Sequence, residues 1–110
     1  MNKSDKYFVS FDISRKLIKL GLNPKEDDYS CQYFFFPSTF EFRILYSRVL
    51  HFLESKGYVI TTEVDYYNIG NYAFRSNLYY NAEKIYTSEW VQSRERALND
   101  SIIKVLEDYL

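Results

Sequence analysis

The chain has 110 residues, 46% hydrophobic and 20% aromatic, with twelve Tyr, nine Phe and one Trp. Three Gly and two Pro are too few for a low-complexity or disordered chain. Fourteen basic residues against fifteen acidic ones leave a net charge of −1, which argues against the concentrated basic patch that tight phosphate-backbone binding requires.

One domain over 1–110 is the natural reading of this length. Residues 1–57 carry nine Lys/Arg and seven Asp/Glu, and residues 58–110 carry five and eight. The resulting +2 against −3 is too mild for long-range steering of a polyanion. Cys31 is the only cysteine, so no internal disulfide forms. Beside Tyr33-Phe34-Phe35-Phe36 it reads as a small apolar residue rather than a reactive thiol. No apolar run is long enough for a signal peptide or a membrane span. The expectation is a soluble, cytoplasmic protein.

The first predicted helix is short. Ser10 can cap it, Ile13, Leu17 and Leu20 share a face, and Lys16 and Lys19 lie near its negative end. Gly21 supplies a left-handed stop and Pro24 prevents resumption. Residues 23–30 are polar and read as a loop. Residues 31–36 are apolar on both parities, which predicts a strand inside the sheet, ended by Pro37.

Ser38 and Glu41 have capping-box spacing. Phe42, Leu45, Tyr46, Val49, Phe52 and Leu53 then fall on one stripe, predicting a second helix closed by Gly57. From Tyr58 to Tyr66 apolar residues favour even positions, the pattern of a half-buried strand. Residues 68–71 form a turn with Gly70 available for positive φ. Tyr72, Phe74, Leu78 and Tyr80 continue the even pattern on a returning strand. Residues 81–84 read as a turn into a short strand around Ile85 and Tyr86. The last helix starts near Ser93, with Thr87 or Ser88 as alternative starts, and Leu98, Ile102, Val105, Leu106 and Tyr109 form its stripe.

The order α-β-α-β-β-(β)-α predicts a two-layer α+β domain. Its mixed or antiparallel sheet of three or four strands would be packed by three amphipathic helices.

Three segments carry a resemblance: Phe11 to Leu22 ending in Leu20-Gly21-Leu22, Pro37-Ser38-Thr39 leading to Tyr46 through Leu53, and the Tyr-rich hairpin followed by Ser93 through Leu98 and Ile102-Ile103. Together they resemble a loose group of small proteins from phages and mobile elements of gut Bacteroidales, a group with no established activity. The resemblance implies phage or prophage origin and a cytoplasmic setting.

Residue sets for chemistry are sparse. His51 is the single histidine, and with one Cys it cannot complete a zinc site. No nucleophile elbow or Gly-rich phosphate loop is present. Glu26-Asp27-Asp28 lacks EF-hand spacing and reads as a solvated loop. Glu63 and Asp65 share a strand face as a minor carboxylate alternative. No enzyme activity, cofactor or metal is expected.

Tyr58, Tyr66, Tyr72 and Tyr80 share the apolar parity and are expected in the core. Tyr67, Arg75, Asn77 and Tyr79 share the opposite parity with Glu63 and Asp65, and are the candidate binding residues. Tyr and Arg dominate protein–protein hot spots, while strand aromatics also stack on bases. The expectation is a non-enzymatic protein-binding module, an inhibitor or adaptor docking on a host or phage protein. A nucleic-acid-associated module and a homodimer are the alternatives, and no membrane partner is expected.

Overall fold

A computed structural model describes residues 7–22, 29–35, 38–68 and 71–110, with side chains placed in these segments except at 29–35, 38–43, 67 and 68. The chain is α+β and divides into two compact units, 1–52 and 53–110.

In the first unit, α1 (Phe11–Lys19) starts where Ser10 Oγ accepts the Ile13 N–H at 3.2 Å. It ends in paired reverse bonds, Gly21 N–H to the Ile18 carbonyl and Leu22 N–H to the Leu17 carbonyl, both 3.0 Å. Gly21 sits at φ 105°, as this Schellman closure requires. The closure turns Leu22 back into the core beside Leu17, and both are buried.

Strands β1 (Tyr29–Phe35) and β2 (Ser38–Ile44) form a two-stranded antiparallel sheet. Two expectations change here. Residues 29–35 pair only with β2 among the described residues, not inside a larger sheet. Residues 38–44 are a strand rather than the first turns of a helix. Phe40, Phe42 and Ile44 recur at a period of two, while Phe42 also fits a helical stripe because Leu45, Tyr46 and Val49 follow it at three, four and seven. Helix α2 (Tyr46–Ser55) begins after that strand. Phe36, Pro37, the acidic run 26–28, Pro24 and Gly70 lie outside the described residues.

Ser14 ties α1 to β2. Its buried hydroxyl donates to the Ser10 carbonyl at 2.9 Å and accepts the Ile44 N–H at 3.2 Å. Val9 N–H reaches the Ile44 carbonyl and Tyr46 N–H the Tyr7 carbonyl, each at 2.9 Å. Val9, Ile13, Leu17, Leu22, Ile44 and Val49 are buried in this unit.

The second unit is a three-stranded antiparallel sheet, in the order β3 (Tyr58–Asn68), β4 (Asn71–Tyr80), β5 (Glu83–Thr87). The expected short third strand is therefore present. Gly57 enters β3 at φ 94°, and a Cβ there would lie 3.0 Å from the Tyr80 ring. Beyond β5 the chain stays on the sheet. Ser88 N–H bonds the Ser76 carbonyl at 2.9 Å, and Val91 and Phe74 exchange two backbone bonds of 2.7 Å. That pairing occupies Ser88, so α3 (Arg94–Lys104) starts at Ser93, whose Oγ accepts the Arg96 N–H at 3.1 Å. A π-helical turn, Val105–Tyr109, closes the chain.

Helix α3 covers the even-numbered face of β4. The Ser76 hydroxyl donates to the Ala97 carbonyl, so the Ser101 hydroxyl donates to Ser76 Oγ at 2.5 Å. Three small residues, Ser76, Ala97 and Ser101, are fully buried at this crossing and let helix and strand approach closely. Leu78, Leu98, Ile102 and Val105 surround them as the apolar core. Arg94 stacks on Phe74 at 5.3 Å, and Tyr58 meets Tyr80 at 4.8 Å and Tyr109 at 6.0 Å.

Tyr80 and Glu83 pair across the β4–β5 turn, whose central residues Asn81 and Ala82 have φ 50° and 66°. Both positive values match the type I′ hairpin, and Asn tolerates them. Ala82 does not, because its Cβ crowds the following carbonyl. Replacement Ala82→Gly is expected to raise stability by about 1 kcal/mol, read as a higher urea midpoint at unchanged m-value. Leu78→Ala, opening a cavity under α3, is expected to lower stability by about 2–5 kcal/mol in the same titration.

Candidate functional site

The odd-numbered side chains of β3 and β4 lie on the sheet face opposite α3. Glu63 stands opposite Arg75, Thr61 opposite Asn77, and Val59 opposite Tyr79. Arg75 Nε donates to Glu63 Oε2 at 2.6 Å, and Asn77 Nδ2 donates to the same oxygen at 2.8 Å. Thr87 Oγ1 completes the chain by donating to Asn77 Oδ1 at 3.0 Å. The Arg75 guanidinium also lies 4.5 Å above the Trp90 ring, a cation–π contact.

Two of the four candidate binding residues are thus already engaged. Asn77 is buried with both ends of its amide used, and Arg75 is held between carboxylate and indole. Tyr79 is half-buried on the same face. The Tyr67 side chain lies outside the described residues.

Exposed aromatic surface is found on the opposite parity. Of the four tyrosines expected in the core, Tyr58 is buried, but Tyr66 is 54%, Tyr72 50% and Tyr80 41% exposed. Arg94 at the start of α3 reaches Phe74, and Tyr109 of the closing turn reaches Tyr58, the cross-strand partner of Tyr80. Beyond Phe74, Tyr66 and Tyr72 pack on each other at 5.2 Å, and Val64 is 54% exposed next to them. A shallow depression lined by Tyr72, Ala73, Trp90, Val91 and Gln92 adjoins this pair. Trp90 was not singled out from sequence. Its signal was its place in the segment between the last strand and the last helix, where a large exposed aromatic has no helical stripe to join.

A second depression gathers Tyr86, Asp100, Ile103, Lys104 and Glu107. Burial raises the Asp100 pKa, with Glu89 adding to the effect and Arg96 opposing it. Burial likewise raises the Tyr86 hydroxyl, with the Asp100 charge adding to it. Lys104 is taken up by Asp108 and lies 5.4 Å from the Tyr86 ring centre. A lysine bound this way has no free pair for nucleophilic or base chemistry.

His51 is exposed on α2. Among the described residues no group of three His, Cys, Asp or Glu is placed to hold a metal ion, and no helix is long and apolar enough to cross a membrane. Of the carboxylate alternative, Glu63 is committed to Arg75 and Asn77, while Asp65 stays exposed. Comparison with family models, with curated proteins and with solved structures finds no match.

Bonds from Arg75 and Asn77 hold the Glu63 carboxyl down from its ordinary 4.5 to about 2. A folded-state value below the unfolded one stabilises the fold fully above pH 4.5, and that contribution is lost as pH falls from 4.5 toward 2. Glu63→Gln removes this titration. Its stability is expected to fall less steeply than that of the wild type across that window, measured by urea midpoints at successive pH values.

Proposed function

We propose that this chain is a non-enzymatic, cytoplasmic protein-binding module of phage or mobile-element origin, an inhibitor or adaptor that docks on a host or phage protein. One observation carries the reading: an aromatic pair, Tyr66 and Tyr72, left half-exposed beyond the end of α3 beside Val64 and the Trp90 depression. Rigid, amphipathic Tyr and Trp side chains supply contact area at little entropic loss, and they are enriched where partners bury central anchors. The docking surface accordingly centres on the hairpin end and meets the Arg75–Asn77 face only at Trp90, which stacks on Arg75.

A photo-reactive phenylalanine analogue at position 72, expressed in the native host, tests this. A discrete adduct with one protein species is expected, and Trp90→Ala and Tyr66→Ala should each abolish it. With the captured partner purified, Trp90→Ala is expected to weaken binding by about 2 kcal/mol, the size of an interface hot spot. Its melting temperature should fall by only the few degrees that losing the Arg75–Trp90 stacking costs. Absence of any adduct other than random background, or adducts indifferent to both substitutions, would remove the reading.

A further inference from the structure

The two backbone bonds between Phe74 and Val91 fix which way every amide of the sheet points. Phe74 turns its N–H and carbonyl toward the β5 side, as does Ser76 through Ser88. Even residues of β4 therefore spend no backbone bonds on β3, and their antiparallel partners on β3 are the non-hydrogen-bonded pairs of that ladder. Thr61, Glu63 and Asp65 bond β4. Ile60, Thr62 and Val64 point their N–H and carbonyl groups the other way, off the edge of the sheet. Among the described residues no backbone group meets them.

Such an edge templates pairing with another strand unless it is blunted by Lys, Pro, an inward charge or a bulge. Tyr58 to Tyr66 contains no Lys and no Pro, and the one register irregularity comes after Tyr66. The acid at the middle of the strand, Glu63, is drawn across its own sheet face by Arg75 and Asn77. Over the stretch exposed from Thr61 to Tyr66 the protections that remain reduce to one further acid, Asp65.

We infer that β3 pairs antiparallel with β3 of a second copy of this chain, about a two-fold axis at Thr62, joining two three-stranded sheets into one. Register selects the centre. An axis at residue 63 sets Glu63 against its own copy, and an axis at residue 64 sets Glu63 against Asp65. An axis at Thr62 gives the longest overlap free of like-charge opposition. It places Val64 opposite Ile60 and Tyr66 opposite Tyr58 of the other copy, all on the α3 face. The apolar side chains Val64 and Tyr66, each 54% exposed in the single chain, are then covered by apolar partners. Thr62 meets Thr62, and Thr61 meets Glu63, on which no charge is opposed. The occupant is a second copy because the same short segment supplies both the free donors and acceptors and the complementary apolar positions, as an isologous contact demands.

This inference goes beyond the docking proposed above: it uses the backbone edge of β3 and shares only Val64 and Tyr66 with the Tyr72–Trp90 end. Sedimentation equilibrium of the full chain from micromolar to millimolar loading is expected to give twice the chain mass. Amide exchange by NMR should show Ile60, Thr62 and Val64 protected in proportion to the dimer fraction. Thr61, Glu63 and Asp65 should be protected at every concentration. Thr62→Pro deletes an outward donor from each copy without touching the ladder to β4, and is expected to weaken the dimer by about tenfold or more. Val64→Lys places a charge against Ile60 of the other copy and should do the same with the far-ultraviolet circular dichroism unchanged, so the test survives if the proline variant fails to fold. A wild-type chain that stays monomeric throughout, or a dimer that Val64→Lys leaves intact and whose even-numbered amides exchange freely, overturns the inference. A monomeric Thr62→Pro chain that keeps its position-72 adduct separates the two surfaces, since Thr62 lies outside the docking surface proposed above.

Discussion

The crossing of α3 over β4 sets the terms for the second unit. Ser76, Ala97 and Ser101 meet there with no side chain larger than a hydroxymethyl group between the two backbones. Once Ser76 faces the helix, period-two geometry assigns every other residue of the sheet. Tyr58, Leu78 and Phe74 go to the helix side, and Ala73, Arg75, Asn77 and Tyr79 to the other. The buried hydroxyls are not orphans. Each proton of the pair has an acceptor, which a close polar crossing needs if it is not to weaken the core.

The far side of the sheet is ordered by charge instead. Glu63 receives two donors on one oxygen, and Asn77 passes the network on to Thr87. Part of this cluster is solvent-exposed, so its contribution to stability is modest and screened. Its larger consequence is that it consumes the polar groups a partner would otherwise have to satisfy. Arg75 in particular has both its charge and its planar face engaged, by Glu63 and by Trp90.

Local signals in the sequence were legible because they act over three or four residues. Ser10 and Ser93 cap their helices, and Gly21 and Gly57 close theirs at positive φ, each by a contact with immediate neighbours. Period alone separated β3 and β4 correctly and set Arg75, Asn77 and Tyr79 on one face. The failures share a cause. Ser38 to Ile44 satisfies the strand period and, through Phe42, part of the helix period, and pairing with β1 decides between them. Likewise parity points the even tyrosines to the core, because it gives the face of a sheet and not how far along that face a helix extends. Parity sets Arg75 and Asn77 on one face, but Glu63, twelve and fourteen residues away, decides what they are free to do.

Length explains which tyrosines remain outside. From Arg94 to Tyr109 the helical segment spans about 22 Å at 1.5 Å per residue. Phe74 to Tyr80, the part of β4 it accompanies, spans about 20 Å at 3.3 Å per residue. The two lengths match, so the helix is used up where the strand reaches Tyr80, and the hairpin extends past its other end. A β-hairpin gains reach about twice as fast per residue as a helix, so an eleven-residue β3 must outrun an eleven-residue α3 with its closing turn. The residues at that overhang then have to hold the two strands together without a helix above them. Tyr66 and Tyr72 do this by packing ring on ring across the strands while their hydroxyls remain available to water. Phenylalanine would give the same cross-strand contact and a more adhesive surface. Tyrosine at these two positions therefore reconciles a hairpin that must stay paired beyond its helix with a surface in contact with water.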